Sequence, residues 1–197
     1  TLKKKQMAYP KITVNTGLAR EIIASDTIPI PAPDLSVLSG TTTASTTDKL
    51  VDVGADFSNV NVGDIIYNTT DNTSATVTAI DTSTILSVSA DIFTSPEDYE
   101  IFLGGPNGSS RINSAEGCLL YVGSNASIVQ DIQPTNPVAP GVGSADPRYV
   151  NIRVKTTAGN LITFENFKVG NYLPIQVVQL MSTSTTAAAR NTCVAIW

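Results

Sequence analysis

The chain has 197 residues, of which 42% are hydrophobic and only 15% are charged, with a net charge of −5. The apolar share is enough for a core and excludes wholesale disorder, while the acidic balance disfavours a dominant role in nucleic-acid binding. The sequence has no histidine, which removes the commonest general base and the commonest metal ligand. This length predicts one large β domain or two small ones.

The first eleven residues, "TLKKKQMAYPK", predict an extended arm. One interpretation is a solvated tail, because chain termini are often poorly ordered. The other interpretation is an arm that lies on a neighbouring subunit or on a capsid surface. In that case we expect the contacts to come from six side chains: Leu2, Lys3, Lys4, Lys5, Met7 and Tyr9.

Three segments with different character follow the arm. "TGLAREIIAS" (16–25) fits a short helix or a strand equally well. "TIPIPAPDLS" (27–36) has prolines at alternate positions, which predicts an extended edge or wall segment rather than a central strand. "SGTTTASTTDK" (39–49) is typical of a flexible polar boundary.

Five short runs rich in strand-forming residues come next: "KLVDV", "GDIIYN", "SATVTAID", "TILSVSADIF" and "DYEIFL". Polar clusters at 69–74 and 81–84 predict hairpin turns between them. Period-two alternation predicts a core face in the fourth run. Short strands at this spacing favour a small antiparallel barrel or meander. The predicted core face of the fourth run comprises Leu86, Val88, Ala90 and Ile92.

A second polar boundary, "LGGPNGSSRINSAEG" (103–117), precedes the rest of the chain. Its glycines lack the Lys-Ser/Thr of a phosphate-binding loop, so we expect a turn. The last part of the chain again predicts β structure, including a hairpin with its turn at "TTAGN". The predicted order is one or two strands in 118–132, a long loop in 133–148, the hairpin in 149–167, and further strands in 168–181 and 182–197.

Candidate catalytic groups are few. Neither a Ser-His-Asp nor a Cys-His site can form without histidine. The pairs Glu97–Asp98 and Glu116–Glu165 are candidates for sugar hydrolysis, but no spacing singles out either pair. We therefore expect a protein that is not an enzyme.

The remaining candidates for metal or redox chemistry have simpler interpretations. Asp71, Asp81 and Asp91 lie at turns or strand ends and lack the Asp-x-Asp-x-Asp-Gly calcium pattern, so we expect them to cap turns. Cys118 and Cys193 are predicted to be reduced and buried, although a single bridge between them is an alternative. No cofactor is expected. No membrane span or signal peptide is visible, which favours a product of the cytosol.

When 41–102 is set aside, the remaining chain resembles spike-base and head-decoration virion proteins of tailed bacteriophages and gene transfer agents. The resemblance covers roughly 110 residues in collinear order, and the insertion, the loop at 133–148 and "NTC" near the end depart from it. It implies a virion structural protein without catalytic residues. The matching pieces are "SD" at 25–26 with Pro29, Pro31 and Pro33; "LYVG" at 120–123; "TTAG" at 156–159 with "ITF" at 162–164; Gly170 with "LP" at 173–174; and "TTA" at 185–187 with "AIW" at 195–197.

These observations together predict an all-β protein in which a β-sandwich or jelly-roll-like barrel carries a small inserted antiparallel barrel. The predicted boundaries are 1–40 for the arm and first part of the outer module, 41–102 for the insert and 103–197 for the main outer part. The expected partners are the major capsid protein or neighbouring virion proteins, with no nucleic acid and no membrane. We expect a homotrimer or other cyclic oligomer, made in the bacterial cytoplasm and found on the virion.

Two other functions remain open at this stage. One is a tail, baseplate or fibre-attachment component. The other is a receptor- or glycan-binding module, which requires exposed aromatic side chains at loop tips. The candidates for such exposed contacts are Tyr67 and Tyr99, with Tyr172 as a further possibility.

Overall fold

Twelve strands and two 3₁₀ turns, but no α-helix, occur in the part of the chain that the computed structural model describes, residues 18–31, 36–104, 117–123 and 148–197. The predicted all-β class is confirmed. The strands are β1 (Ala19–Ile22), β2 (Leu38–Thr41), β3 (Lys49–Val51), β4 (Ile65–Asn68), β5 (Thr73–Thr82), β6 (Ile85–Val88), β7 (Asp98–Phe102), β8 (Leu119–Tyr121), β9 (Tyr149–Thr156), β10 (Leu161–Lys168), β11 (Val177–Leu180) and β12 (Cys193–Ile196).

Strands β2 to β7 form one six-stranded antiparallel sheet in the order β2-β7-β4-β5-β6-β3. The sheet curls, and the chain just after β2 reaches the opposite edge, where Ala44 forms a β-bridge with Val51. The Thr43 N–H donates to the Val51 carbonyl at 2.8 Å. The chain that follows β2 therefore pairs with the β3 edge at Val51 and covers part of an edge that would otherwise be open.

Two details of this sheet differ from the sequence prediction. The segment 39–49 was expected to be a flexible boundary, but its first residues belong to β2 and pair with β7. Within the fourth run, Leu86 and Val88 are buried as predicted, whereas Ala90 is exposed because β6 ends at Val88. The core of the sheet is built around Leu50, Phe57, Ile66, Ala75, Val77, Leu86, Val88, Phe93, Tyr99 and Ile101.

The remaining strands form two three-stranded antiparallel sheets, β1-β12-β8 and β10-β9-β11. The sequence left 16–25 open between helix and strand, and the structure shows a strand, β1. The predicted hairpin is confirmed as β9 and β10, with Gly159 at φ 83° in its turn. Both sheets contribute to one core that includes Ile22, Leu120, Val122, Ile152, Val154, Leu173, Val177, Leu180 and Ala195.

The proline-containing segment covers the edge of β11, in agreement with the predicted wall. The Ile30 N–H donates to the Val178 carbonyl, and the Ser25 N–H donates to the Leu180 carbonyl, both at 2.9 Å. Ile28 packs on the other side against Ile65, Tyr67 and Phe102 of the six-stranded sheet. The division into an outer module and an inserted module at 41–102 stays a prediction.

The carboxylate of Asp26 joins this segment to the loop before β12. It accepts hydrogen bonds from the hydroxyls of Ser182 (2.8 Å) and Thr183 (2.6 Å) and from the Thr183 N–H (3.0 Å). The hydrogen bonds from Thr183 lower the pKa of Asp26, because they stabilise its ionised form. Residues far apart in the chain are thereby held together at the rim of the core.

A buried pair, Tyr99 and Asp52, plays the corresponding role in the six-stranded sheet. The Tyr99 hydroxyl donates to Asp52 Oδ2 at 2.8 Å, and the Gly54 N–H donates to Oδ1 at 2.9 Å. Burial raises the pKa of Tyr99, and the neighbouring carboxylate raises it further. Gly40 leaves room for the pair, since a Cβ there would lie 2.6 Å from the Tyr99 hydroxyl oxygen.

We expect Tyr99→Phe to lower the free energy of unfolding by about 1–3 kcal/mol, because Asp52 Oδ2 would lose its donor inside the protein. Urea denaturation measures this loss. Tyr172→Phe is the matched control, since Tyr172 is 55% exposed, and its change should stay within about 0.5 kcal/mol. Equal losses in the two variants would contradict a structural role for the Tyr99–Asp52 hydrogen bond.

The Asp26 contacts predict a pH dependence of stability. A carboxyl group whose pKa is lower in the folded state stabilises the fold fully above its unfolded pKa, and this stabilisation disappears as pH falls through the folded pKa. Relative to Asp26→Asn, the wild type should therefore be more stable at neutral pH, and the difference should shrink as pH falls below the ordinary value of 3.8. Thermal unfolding of both proteins across acidic pH measures it, and a constant difference would contradict the assignment.

Candidate interaction surface

The two tyrosines predicted as exposed contacts are buried, so that prediction is wrong. Tyr67 is 5% exposed and Tyr99 is 1% exposed. The Tyr67 ring meets Phe102 edge-on with centroids 5.3 Å apart, and its hydroxyl hydrogen-bonds the backbone of Ile23. Burial raises the pKa of Tyr67. Both rings stabilise the packing of the six-stranded sheet, and neither is accessible to a partner.

The six predicted contact residues of the arm, Leu2 to Tyr9, lie outside the described residues, so their role stays a prediction. Tyr172, the remaining tyrosine candidate, is exposed. Its ring packs against Tyr121 with centroids 5.3 Å apart, beside the bridge between the two residues.

Two of the candidate carboxylates, Glu97 and Asp71, make contacts around the loop before β7. Glu97 is buried and accepts hydrogen bonds from the Thr94 N–H and hydroxyl, both 2.7 Å, and from the Asn68 amide at 3.0 Å. Burial opposes the ionisation of Glu97, but these hydrogen bonds outweigh it and lower its pKa. Asp71 hydrogen-bonds Glu97, and this contact raises the pKa of Asp71. Glu97 thus fixes the loop before β7.

Two other acidic candidates, Asp98 and Asp81, also make structural contacts. Asp98 accepts from the Thr41 hydroxyl at 2.7 Å, and Asp81 forms an ion pair with Lys49 at 2.7 Å. Glu165 is exposed on β10, and Glu116 lies outside the described residues. In the described ranges, no cluster of histidine, cysteine or acidic side chains could hold a metal ion.

The two cysteines are buried and free, as the first alternative predicts. Burial raises the pKa of Cys118 to about 12 and that of Cys193 to about 11. Thiols with such pKa values carry almost no thiolate at neutral pH, so they are poor nucleophiles. Both side chains belong to the core between the two three-stranded sheets.

One cleft of about 290 Å³ lies where β1 passes the six-stranded sheet. The Arg20 guanidinium stacks on the Phe102 ring 3.8 Å from its centroid, which covers the aromatic surface of the cleft. Glu21, Glu100 and Asn191 contribute polar groups at its walls. With Phe102 covered and Tyr67 buried, the cleft offers no exposed aromatic face to a sugar ring.

The β9–β10 hairpin carries three exposed large apolar side chains, Tyr149, Leu161 and Ile162. Strand β9 alternates regularly between buried and outward positions, and β10 is exposed along almost its whole length. Its first residues are apolar on both sides, since Leu161 is 51% exposed and Ile162 is 37% exposed. Soluble monomers normally cover such strands, so this hairpin is a candidate for contact with another protein.

One face of this hairpin combines apolar and basic side chains. In the register of β9 and β10, Lys155 lies opposite Leu161, and Tyr149 lies opposite Lys168. Arg153 lies between them on the same side of β9, with its guanidinium 3.4 Å from the Ser184 hydroxyl. We call this set the hairpin face, and it comprises Tyr149, Arg153, Lys155, Leu161 and Lys168.

The outer edge of β10 is also unpaired within the described residues. The Thr156 N–H donates to the Asn160 carbonyl, so Leu161 and Thr163 occupy positions whose N–H and C=O groups point away from β9. A β-bulge between Phe164 and Phe167, with Asn166 at φ 51°, ends this regular stretch. The sequence indicated the hairpin but not its exposure, because its alternation is equally compatible with a covered outer face.

Charge is divided unevenly along the described chain. Residues 36–104 contain ten acidic side chains and a single basic one, Lys49, whereas 148–197 contain five basic side chains and one acidic one, Glu165. The six-stranded sheet is therefore strongly acidic and the hairpin region is basic. An uneven distribution of this kind orients approaching charged partners.

Comparisons with known proteins add no family to this description. No family model matches the chain, no curated protein matches it, and no solved structure matches it. Among the described residues, no helix has the length and apolarity needed to cross a bilayer.

A pair of isoleucines tests whether the hairpin belongs to the surface or to the core. Ile152→Ala should cost about 2–5 kcal/mol of unfolding free energy, because Ile152 is fully buried. Ile162→Ala, on the paired strand, should cost less than about 1 kcal/mol because a large part of that side chain already meets water. Chemical denaturation of both variants measures the contrast, and similar costs would contradict the exposed position of β10.

Proposed function

We propose that the protein is a non-enzymatic structural component of a bacteriophage virion, which binds the capsid surface as a decoration, cement or spike-base subunit. The observation that carries the proposal is the hairpin, because the described residues leave one edge of its β10 strand unpaired and most β10 side chains are exposed. A strand in this condition is a liability for a free monomer but an ordinary docking element within a repeated assembly.

The positions of the resembling residues support the same function. Leu120, Val122, Leu173 and Ala195 are all buried in the core between the three-stranded sheets. Gly159, in the hairpin turn, has a positive φ that favours glycine. Several of the pieces that resemble spike-base and head-decoration proteins thus contribute to one core, as expected for a shared fold.

The first and last resembling pieces also meet. Asp26 of "SD" accepts hydrogen bonds from Ser182 and Thr183, directly before "TTA" at 185–187. Thr185 is buried, and its hydroxyl accepts a hydrogen bond from the Arg153 N–H at 3.0 Å. These polar side chains hold the first and last resembling pieces together.

The burial of two candidate tyrosines weakens the case for a glycan-binding function. Two of its three candidate tyrosines, Tyr67 and Tyr99, are buried, and only Tyr172 remains accessible. A glycan array that gave a signal abolished by Tyr172→Ala would nevertheless favour that function over the proposed one.

The proposed function is tested on particles purified from the source of the chain. Mass spectrometry should detect the protein in purified virions, and a cryo-electron microscopy map should place it on the head. Its absence from the particles would overturn the proposal. A position on the tail or baseplate would retain a virion role but replace capsid decoration with tail attachment.

The arm provides a further prediction within this function. Deletion of residues 1–11 should weaken binding to particles, because the arm carries the proposed capsid contacts Lys3, Lys4 and Lys5. The melting temperature should change by less than about 2 °C, because chain termini generally contribute little to stability. Co-sedimentation with particles that lack the protein measures binding. A large drop in melting temperature would instead make the arm part of the fold.

A further inference from the structure

The hairpin face requires a partner that is acidic and at least partly apolar. Its cations are Arg153, Lys155 and Lys168, and its apolar groups are Tyr149 and Leu161. Within the described residues, Lys155 and Lys168 form no ion pair. A surface that combines free cations with exposed apolar side chains resembles the polar rim and apolar centre of a protein interface.

The chain itself carries groups of complementary charge on its six-stranded sheet. The six-stranded sheet exposes several carboxylates on its loops and strand ends, including Asp48, Asp56, Asp91 and Asp98. It also exposes apolar side chains, with Val53 74% and Val62 58% accessible. One molecule therefore carries a basic hairpin face and an acidic sheet, and each of them also has exposed apolar side chains.

We propose that the hairpin face binds the acidic six-stranded sheet of a second copy of this chain, in a head-to-tail contact. The charges decide between this arrangement and a symmetric one. In a symmetric contact, two hairpin faces would bring Arg153, Lys155 and Lys168 of one copy against the same cations of the other, and like charges in contact oppose association. A head-to-tail contact places each basic face against an acidic sheet.

A head-to-tail contact also has a consequence for assembly. It uses two different surfaces of each copy, so every subunit that is added presents a fresh hairpin face and a fresh acidic sheet. Such contacts form a ring when the rotation between copies closes. The inference rests on the expectation from the sequence that the protein forms a cyclic oligomer, and it adds the surfaces through which the copies meet.

The test uses the purified full-length protein and measures self-association by analytical ultracentrifugation at about 50 and 500 mM salt, where screening differs strongly. The wild type should associate more tightly at low salt. The hairpin variant Arg153→Glu/Lys155→Glu should associate at least about tenfold more weakly, because it places carboxylates against an acidic surface. Circular dichroism and the melting temperature verify that the variant is folded.

Two single substitutions separate a specific contact from an effect of net charge. Lys155→Gln and Lys49→Gln each remove one positive charge, but Lys155 lies on the hairpin face and Lys49 lies on the acidic sheet. Lys155→Gln should weaken association, whereas Lys49→Gln should leave it unchanged or strengthen it. A shift of the same sign and size in both variants would overturn the proposal.

Substitutions on the acidic side complete the design. The triple variant Asp48→Asn/Asp91→Asn/Asp98→Asn keeps oxygen acceptors in place and should weaken association as the hairpin variant does. If the wild type is monomeric at both salt concentrations, the head-to-tail contact is wrong, while detection of the protein in virions would leave the proposed function standing. If deletion of 1–11 abolishes association but the hairpin variant does not, the arm occupies the acidic sheet and the proposal is also wrong.

Discussion

The backbone groups along strand edges set the main constraint on this fold. Each edge strand presents N–H and C=O groups that must find partners, and an uncovered edge invites pairing with another chain. The chain covers several of its edges itself: residues 43 and 44 pair with β3, and Ser25 and Ile30 pair with β11. Strand β10 is different, because its outer edge has no partner within the described residues. The interpretation of the protein as a subunit of an assembly depends on this difference.

Three carboxylates stabilise irregular parts of this fold by accepting hydrogen bonds. Asp52 and Glu97 are buried carboxylates, and each accepts one hydrogen bond from a loop N–H and another from a side chain on a strand. Asp26 does the same at the surface for the loop before β12. Carboxylates used in this way act as internal caps for irregular backbone, which a protein made of many short strands needs in number.

The sequence predicted the strands well and the exposure of particular side chains poorly, for a physical reason. Period-two alternation reveals the face of a strand that is covered when the other face meets water, as it does for Leu86 and Val88. Strand β4 does not alternate, because all four of its residues are buried. Its second face is covered by Ile28, which lies far away in the sequence, and Tyr67 is buried for that reason. The run "IIYN" contains this signal, since a strand without alternation is typical of a strand covered on both sides.

The exposure of β10 could not be predicted from its sequence, and its bulge limits how far another strand can pair with it. Apolar residues on both sides of β10 suggest burial, yet Leu161 and Ile162 are exposed. The extra residue between Phe164 and Phe167 twists the strand and interrupts its ladder after only a few residues. An edge interrupted so early cannot template the long, continuous pairing that produces fibrils. The bulge therefore restricts the open edge to short contacts, which favours association in discrete steps over continuous growth.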